Sequence, residues 1–461
     1  MTDTAQGGAP QGLEAAKEDA HAWPKPAAAW YAVFVLSLTL LVNFLDRGIL
    51  NLLVTDIKRD LALSDTQWSI VNGFAFVVFY AIFGLPIARL VDSTSRRTII
   101  GIGVMLWASM TALCGLARNF GQLFALRVGV GVGEACTGPA TFSMLADYFP
   151  RDKLPRAIAV LNFGFMTGNG LALIIGGAVV AWVAQAPDWV LPGYGPLAAW
   201  QKTLLLVGLP GLIVAALMLT VPEPKRRDGA GRVVGATKAP PLSDVFGQIG
   251  KEWATYGPMF IGLALKTVMS YGLIAWSFAF YNRTFGWTPV QYGLTAGTVW
   301  FCVAPLGAMF GAWLAERWTK QGMHDANLRV VFWSSLFLFP IAGLQPLMPN
   351  ATLAIGLFCA QSFVQNWVLG PQNAALQIIT PNRMRGQVTL IWLFIFNVIG
   401  FGLGPTIVAL LTDYVFGRES QLNLSMATVA FVVGPIAAFV VWSGLKAYGA
   451  VVARLANDIN E

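Results

Sequence analysis

Charge is scarce in this 461-residue chain. Lys plus Arg number 30 and Asp plus Glu 23, together 11% of the sequence, against roughly a quarter in an ordinary soluble domain. Apolar residues make up 56%, more than a soluble surface could hide beneath polar cover. A soluble enzyme, a secreted scaffold and a disordered chain are excluded, and an integral membrane protein remains. Histidine is nearly missing: His21 lies in a terminal tail and His324 in a loop, so neither can serve as a proton carrier within the membrane. The four cysteines, Cys114, Cys136, Cys302 and Cys359, fall inside apolar runs. They have neither the spacing of a disulfide framework nor that of a zinc site, and read as small helix-packing residues. The Walker pattern and H-E-x-x-H are both lacking, so no cofactor or metal is expected and ATP is not the evident energy source.

What the sequence does hold is twelve apolar stretches, at about 28–53, 67–90, 98–117, 121–148, 157–184, 199–221, 256–281, 290–315, 327–347, 351–379, 387–411 and 424–446. Each approaches the ~20 residues a helix needs to cross hydrocarbon. They are too long and too continuous for barrel strands, and an all-α integral membrane fold follows. The first 26 residues are polar and lack the apolar core of a cleavable signal peptide, so the first span is expected to act as the insertion signal. With both termini placed inside, 21 of the 30 basic residues fall in inner segments and six in outer loops. That bias predicts cytoplasmic termini by the positive-inside rule and makes nucleic-acid binding unnecessary to explain the net charge of +7. A bacterial inner (plasma) membrane is the expected location.

Residues 222–253 are rich in Pro, Gly, Lys and Arg and read as a cytoplasmic linker. Within it, Ser243 and Asp244 look like a helix start, with Val245, Phe246, Ile249 and Trp253 on one membrane-facing stripe. The expected organisation is a tail (1–26), a six-helix bundle (27–221), the linker (222–255), a second six-helix bundle (256–446) and a tail (447–461). The halves echo each other. Ala88-Arg89-Leu90-Val91-Asp92 with Arg96 and Arg97 returns as Ala312-Trp313-Leu314-Ala315-Glu316 with Arg317 and Lys320, and Pro150-Arg151 returns as Pro381-Asn382-Arg383. An internal repeat on this scale is what two-half transporters show.

The segment ARLVDSTSRR at 88–97 resembles the loop motif of the major facilitator superfamily, G-x-L-A-D-R-x-G-R-K, matching at Asp92, Arg96 and Arg97. Asp46-Arg47 in span one, with RVGVGVGEACTGPA at 127–140, resembles more specifically the Spinster branch. The resemblance implies a major facilitator fold of twelve helices in two pseudo-symmetric bundles, with a substrate site bounded by spans one, four, seven and ten. Members of that branch are thought to export sphingosine-1-phosphate or lysophospholipids, so a lipid substrate, protons and membrane lipids are the expected partners, in a monomer. Asp92, Arg96 and Arg97, echoed by Glu316 and Arg317, are expected to form a gate latch at the inner face.

Five ionisable residues sit inside spans: Asp46, Arg47, Arg127, Glu134 and Lys266. Each costs roughly 2.5–3.5 kcal/mol at a helix centre facing lipid, so all five must be paired or hydrated. At ~1.5 Å per residue, Asp46, Arg47 and Arg127 lie level, with Glu134 and Lys266 near the midplane. Asp46 is expected to meet Arg127, and Arg47 to reach Glu134. The two carboxylates are the candidate proton carriers. Arg47, Arg127 and Lys266 outnumber them by one positive charge and are the candidate anion-binding groups, since a guanidinium fork suits phosphate or carboxylate. Uptake or efflux of a small organic anion such as a sugar acid fits that charge count as well as a lysolipid does. Gln361, Gln365 and Gln372 share one face of span ten and are expected to line a cavity, with Asn373 and Tyr271 beside them. Trp276, Phe278, Phe280 and Tyr281 read as an interfacial aromatic belt. The glycine runs at 129–133 and 400–404 follow no strand, so they read as close helix packing and not as nucleotide loops. A lipid-modifying enzyme would need a catalytic cluster, and none is offered.

Overall fold

A computed structural model describes residues 23–150, 152–226, 241–381 and 383–460. The tail 1–22 and the linker stretch 227–240 lie outside them. Eleven of the described helices are long and apolar enough to cross a membrane. A twelfth crossing is built from two shorter helices, Phe120–Glu134 and Thr137–Tyr148. The sequence suggests one unbroken helix there. Pro139 explains the break, because its nitrogen has no hydrogen to give the carbonyl of Ala135, and the interruption falls directly after Glu134.

The crossings begin where the sequence supplies caps. Ser64 accepts from the Gln67 amide while the Gln67 side chain accepts from the Ser64 amide, and Thr288 with Gln291 repeats the arrangement. These reciprocal caps open spans two (65–93) and eight (Pro289–Lys320), 224 residues apart, the offset that separates Asp92 from Glu316. Asn119 caps span four and Asn350 caps span ten (Ala351–Ile379), 231 residues apart, the offset of Pro150 from Pro381. The internal repeat is therefore written into helix starts as well as loops. The last span begins at Leu422 and runs to Asn460, beyond the expected limit of 446. The linker helix, Leu242–Lys251, buries Val245 and Ile249 against the second half while Phe246 and Trp253 are exposed. The expected single stripe is thus two faces, one packed on protein and one exposed.

Three apolar cores organise the molecule. One lies wholly in the first half and one wholly in the second, both toward the end that carries the chain termini and linker. The third, at the opposite or distal end, is continuous across both halves, from Phe44 and Trp68 through Leu273 and Trp276 to Val408. The halves are thus fused distally. Spans five (Leu154–Ala184) and eight approach most closely there. A side chain at Gly170 would meet the Gly297 carbonyl oxygen at 2.5 Å, and one at Gly297 would meet that of Gly170 at 2.6 Å. Trp276, Phe278, Phe280 and Tyr281, expected as an interfacial belt, are instead buried in this shared core. Trp276 donates to the Pro405 carbonyl at 2.9 Å.

Candidate functional site

Span one (Pro26–Leu52) carries Asp46 and Arg47 to the level where span four breaks. There Arg47 and Glu134 form an ion pair: Nη2 and Nε both donate to Oε2, the latter at 3.1 Å. This pairing is the one the depth argument anticipates. Glu134 is almost fully buried at 1% exposure, whereas Arg47 keeps 27%, so the cation is the more accessible partner. The expected Asp46–Arg127 pair does not form among the described residues. Asp46 accepts from the Thr111 hydroxyl of span three at 3.4 Å. Arg127 instead lies 5.6 Å from the centroid of the Phe76 ring, the same ring that Arg47 faces at 4.5 Å. Asp46 Oδ1, Arg127 Nε and Glu134 Oε1 are buried with no hydrogen-bond partner. Such orphaned charge is costly and marks a place where protons, water or a ligand's polar atoms can be received.

Of the other expected site residues, Tyr271 on span seven (Trp253–Phe285) does reach this centre, packing on Phe401, whose ring lies 5.6 Å from the Arg47 guanidinium. Lys266, on the same span, does not. It is buried in the second half and donates to the Ser334 hydroxyl at 2.7 Å, which donates onward to the Val364 carbonyl at 2.8 Å. Span ten is interrupted by a 3-10 turn, Asn366–Val368, which separates Gln372 from the helix that carries Gln361 and Gln365. Gln361 is buried with Oε1 unpartnered, and Gln365 is half-buried. Asn373 is exposed.

At the inner face a network within the first half surrounds Arg96. The side chain of Asp92 lies outside the described residues. Arg96 is buried and pairs with Asp147 of span four and with Glu223, the latter at 2.9 Å. Glu223 also accepts from the Arg97 amide at 2.8 Å and the Ser95 hydroxyl at 3.0 Å. Burial pushes the Glu223 carboxyl up, but these donors outweigh it and hold the group below its ordinary value. The start of the linker is thereby stapled to spans three and four within one half. In the second half Glu316 pairs with Lys320 at 2.5 Å on an exposed helix face, and Arg317 lies over Trp313. Neither reaches the other half among the described residues.

A cluster that sequence reasoning missed lies at the distal end. Asp65, fully buried, accepts from Lys58 and takes two hydrogen bonds of 2.8 Å from Arg283 of the second half. Glu419 pairs with Lys58 at 2.9 Å and with Arg283 at 3.2 Å. Asp413 accepts from the Thr66 amide and hydroxyl at 2.7 Å each, and Thr55 donates to Asn282 at 3.2 Å. Every described hydrogen bond and ion pair between the halves belongs to this end. In sequence these residues read only as sparse loop charges; the capping pattern Ser64-x-x-Gln67, which fixes where Asp65 starts its helix, was the one local signal.

Comparison with known proteins places this arrangement. The family model described as Major Facilitator Superfamily matches residues 36–405. An MFS-type efflux pump of Mycolicibacterium smegmatis is 29% identical over 84% of this chain and 85% of its own. Protein spinster of Drosophila melanogaster is 23% identical over 88% of this chain and 66% of its own. A probable galactarate/D-glucarate transporter of Bacillus subtilis is 29% identical over 44% of this chain and 42% of its own. A crystal structure of a bacterial homologue of the human lysosomal transporter Spinster, inward-facing and unoccupied, shares the fold with a TM-score of 0.75 at 24% identity, covering 94% of this chain and 99% of that one. Two six-helix halves and an internal repeat are accounted for together: the chain belongs to the Major Facilitator Superfamily of transporters and resembles its Spinster branch.

Proposed function

We propose that this transporter is driven by protons and moves an anionic amphiphile, a lysophospholipid or sphingoid phosphate, by alternating access. With both termini placed in the cytoplasm, the distal fusion corresponds to a state closed on the outer side. The observation that carries the reading is the Arg47–Glu134 pair beside Asp46, with one oxygen of each carboxylate and one nitrogen of Arg127 left unsatisfied. A proton on Glu134 removes the charge that holds Arg47, which frees a guanidinium for an anionic headgroup; the headgroup in turn competes with Glu134 for Arg47. Proton and substrate are thereby coupled through one side chain. Asp46 supplies a second carboxylate at the same level. Arg127, with no described carboxylate partner, favours an anion over a neutral solute. Lys266, bonded to Ser334 within the second half, is assigned a structural role in this state.

A second reading is favoured by the same charge balance and by the similarity to a protein named for galactarate and D-glucarate: a small organic anion instead of a lipid. Proteoliposomes offered labelled lysophosphatidate and labelled galactarate separately, under an imposed pH gradient, decide between them. Movement of the lysolipid alone supports the first reading. Movement of galactarate alone overturns it in favour of the second.

A further inference from the structure

The Arg47–Glu134 pair belongs to the first half, yet one surface that holds it comes from the second. The Arg47 guanidinium has Phe76 of span two on one side at 4.5 Å and Phe401 of span eleven (Arg385–Phe416) at 5.6 Å. Phe401 and its neighbour Val398 are seated against the apolar core of the first half, although the second half supplies them. The backbone fixes this placement. Phe396–Leu403 is π-helical, an irregularity that re-aims side chains and often marks functional positions. Facing it is a second π-helical turn, Ile70–Phe74. Its Gly73 packs so closely that a side chain there would meet the Phe401 carbonyl oxygen at 2.7 Å. Phe401 in turn packs on Tyr271 of span seven, whose ring also meets Phe396 edge-on at 6.2 Å.

We propose that Phe401 is a positioning residue that couples closure of the two halves to the Arg47–Glu134 pair through the face of its ring. This rests on reading that pair as the proton site. An aromatic face attracts a guanidinium and shields it from water. When spans two and eleven part, Arg47 keeps Phe76 but loses Phe401, gains water on that side, and holds Glu134 less firmly. The coupling is reciprocal: the state of the pair must bias the closure of the halves by the same free energy. Around the pair stand Asp46 from span one, Tyr80 from span two, Cys114 from span three, Arg127 from span four and Tyr271 from span seven. Span eleven adds no charge to that set among the described residues, so its influence passes through the ring.

The test needs only protons as ligand. Spin labels at Asp188 and Thr352, exposed positions on the distal side of the first and second halves, report the ratio of distally open to closed populations in nanodiscs between pH 5 and 8.5. The wild type should respond to pH and Glu134→Gln should not. Phe401→Leu, with Phe401→Met as a second variant lacking the ring, should reduce the pH-driven change in that ratio by about three- to tenfold. Phe401→Tyr, which restores an aromatic face, should recover it. A full response in Phe401→Leu and Phe401→Met, or a Tyr variant that behaves like Leu, overturns the role of Phe401 while Glu134→Gln still reports the proton site. A wild type indifferent to pH, or a Glu134→Gln variant that responds in full, overturns the proton-site reading on which it rests.

Discussion

Asp65→Asn removes one charge from the distal cluster while keeping the side chain's size. Asp65 is fully buried and takes three hydrogen bonds, one from Lys58 of its own half and two from Arg283 of the other. Breaking a buried pair costs about 3–5 kcal/mol. The Lys58 contact lies within one half and can survive opening, so only part of that cost distinguishes closed from open. A hydrogen bond to a charged group contributes about 1.5–3 kcal/mol, and each 1.36 kcal/mol is a factor of ten. The closed state should therefore lose roughly ten- to hundredfold in population relative to the open one. Labels at Asp188 and Thr352, in a background with the four cysteines replaced, should show the long-distance population growing in Asp65→Asn. Arg283→Gln should act in the same direction, and the double variant should go little further, since both remove one interaction. An unchanged distance distribution in both single variants would refute the assignment of this cluster as the lock between the halves.

Gly170→Val drives a branched side chain into the Gly297 carbonyl, 2.5 Å from where its Cβ would sit. It should disfavour distal closure without unfolding either half, read by the same labels. Arg96→Ala removes the buried guanidinium that pairs with both Asp147 and Glu223 and should lower stability by about 3–5 kcal/mol, seen as a lower unfolding temperature in detergent. Because the Glu223 carboxyl is held below its ordinary value, its stabilising contribution is complete above that value and is lost only as pH falls through the lower folded one. The stability difference between the wild type and Glu223→Gln should accordingly be constant between about pH 5.5 and 8 and shrink only as pH falls below about 4.5. Arg47→Ala should weaken lysophosphatidate binding by about ten- to a hundredfold, as for a charge-assisted contact, measured by calorimetry; retained affinity would remove Arg47 from the site.

Much of this architecture was legible in the chain because lipid leaves few alternatives. Long apolar runs must be helices, and charges inside them must meet partners, which is how Arg47 and Glu134 could be paired from helix depth alone. Depth does not give azimuth, and there the reading failed. Asp46 and Arg127 are level yet do not pair: Asp46 accepts from Thr111 while Arg127 lies near the Phe76 ring. Lys266 has the right depth but faces Ser334 within its own half. The break after Glu134 and the 3-10 turn at Asn366–Val368 redirect side chains in ways that a uniform helical period conceals. The distal cluster was invisible for another reason: Lys58, Asp65, Arg283 and Glu419 are distant in sequence, and nothing local distinguishes a loop charge in water from one buried between two halves.

Proton coupling at Glu134 is tested most directly by substrate-evoked proton flux. Proteoliposomes carrying a pH-sensitive dye inside, given lysophosphatidate with no other gradient, should show a proton flux with the wild type. With Glu134→Gln that flux should vanish while counterflow of labelled lysophosphatidate persists. An equal proton flux in both proteins would contradict proton coupling through the Arg47–Glu134 pair.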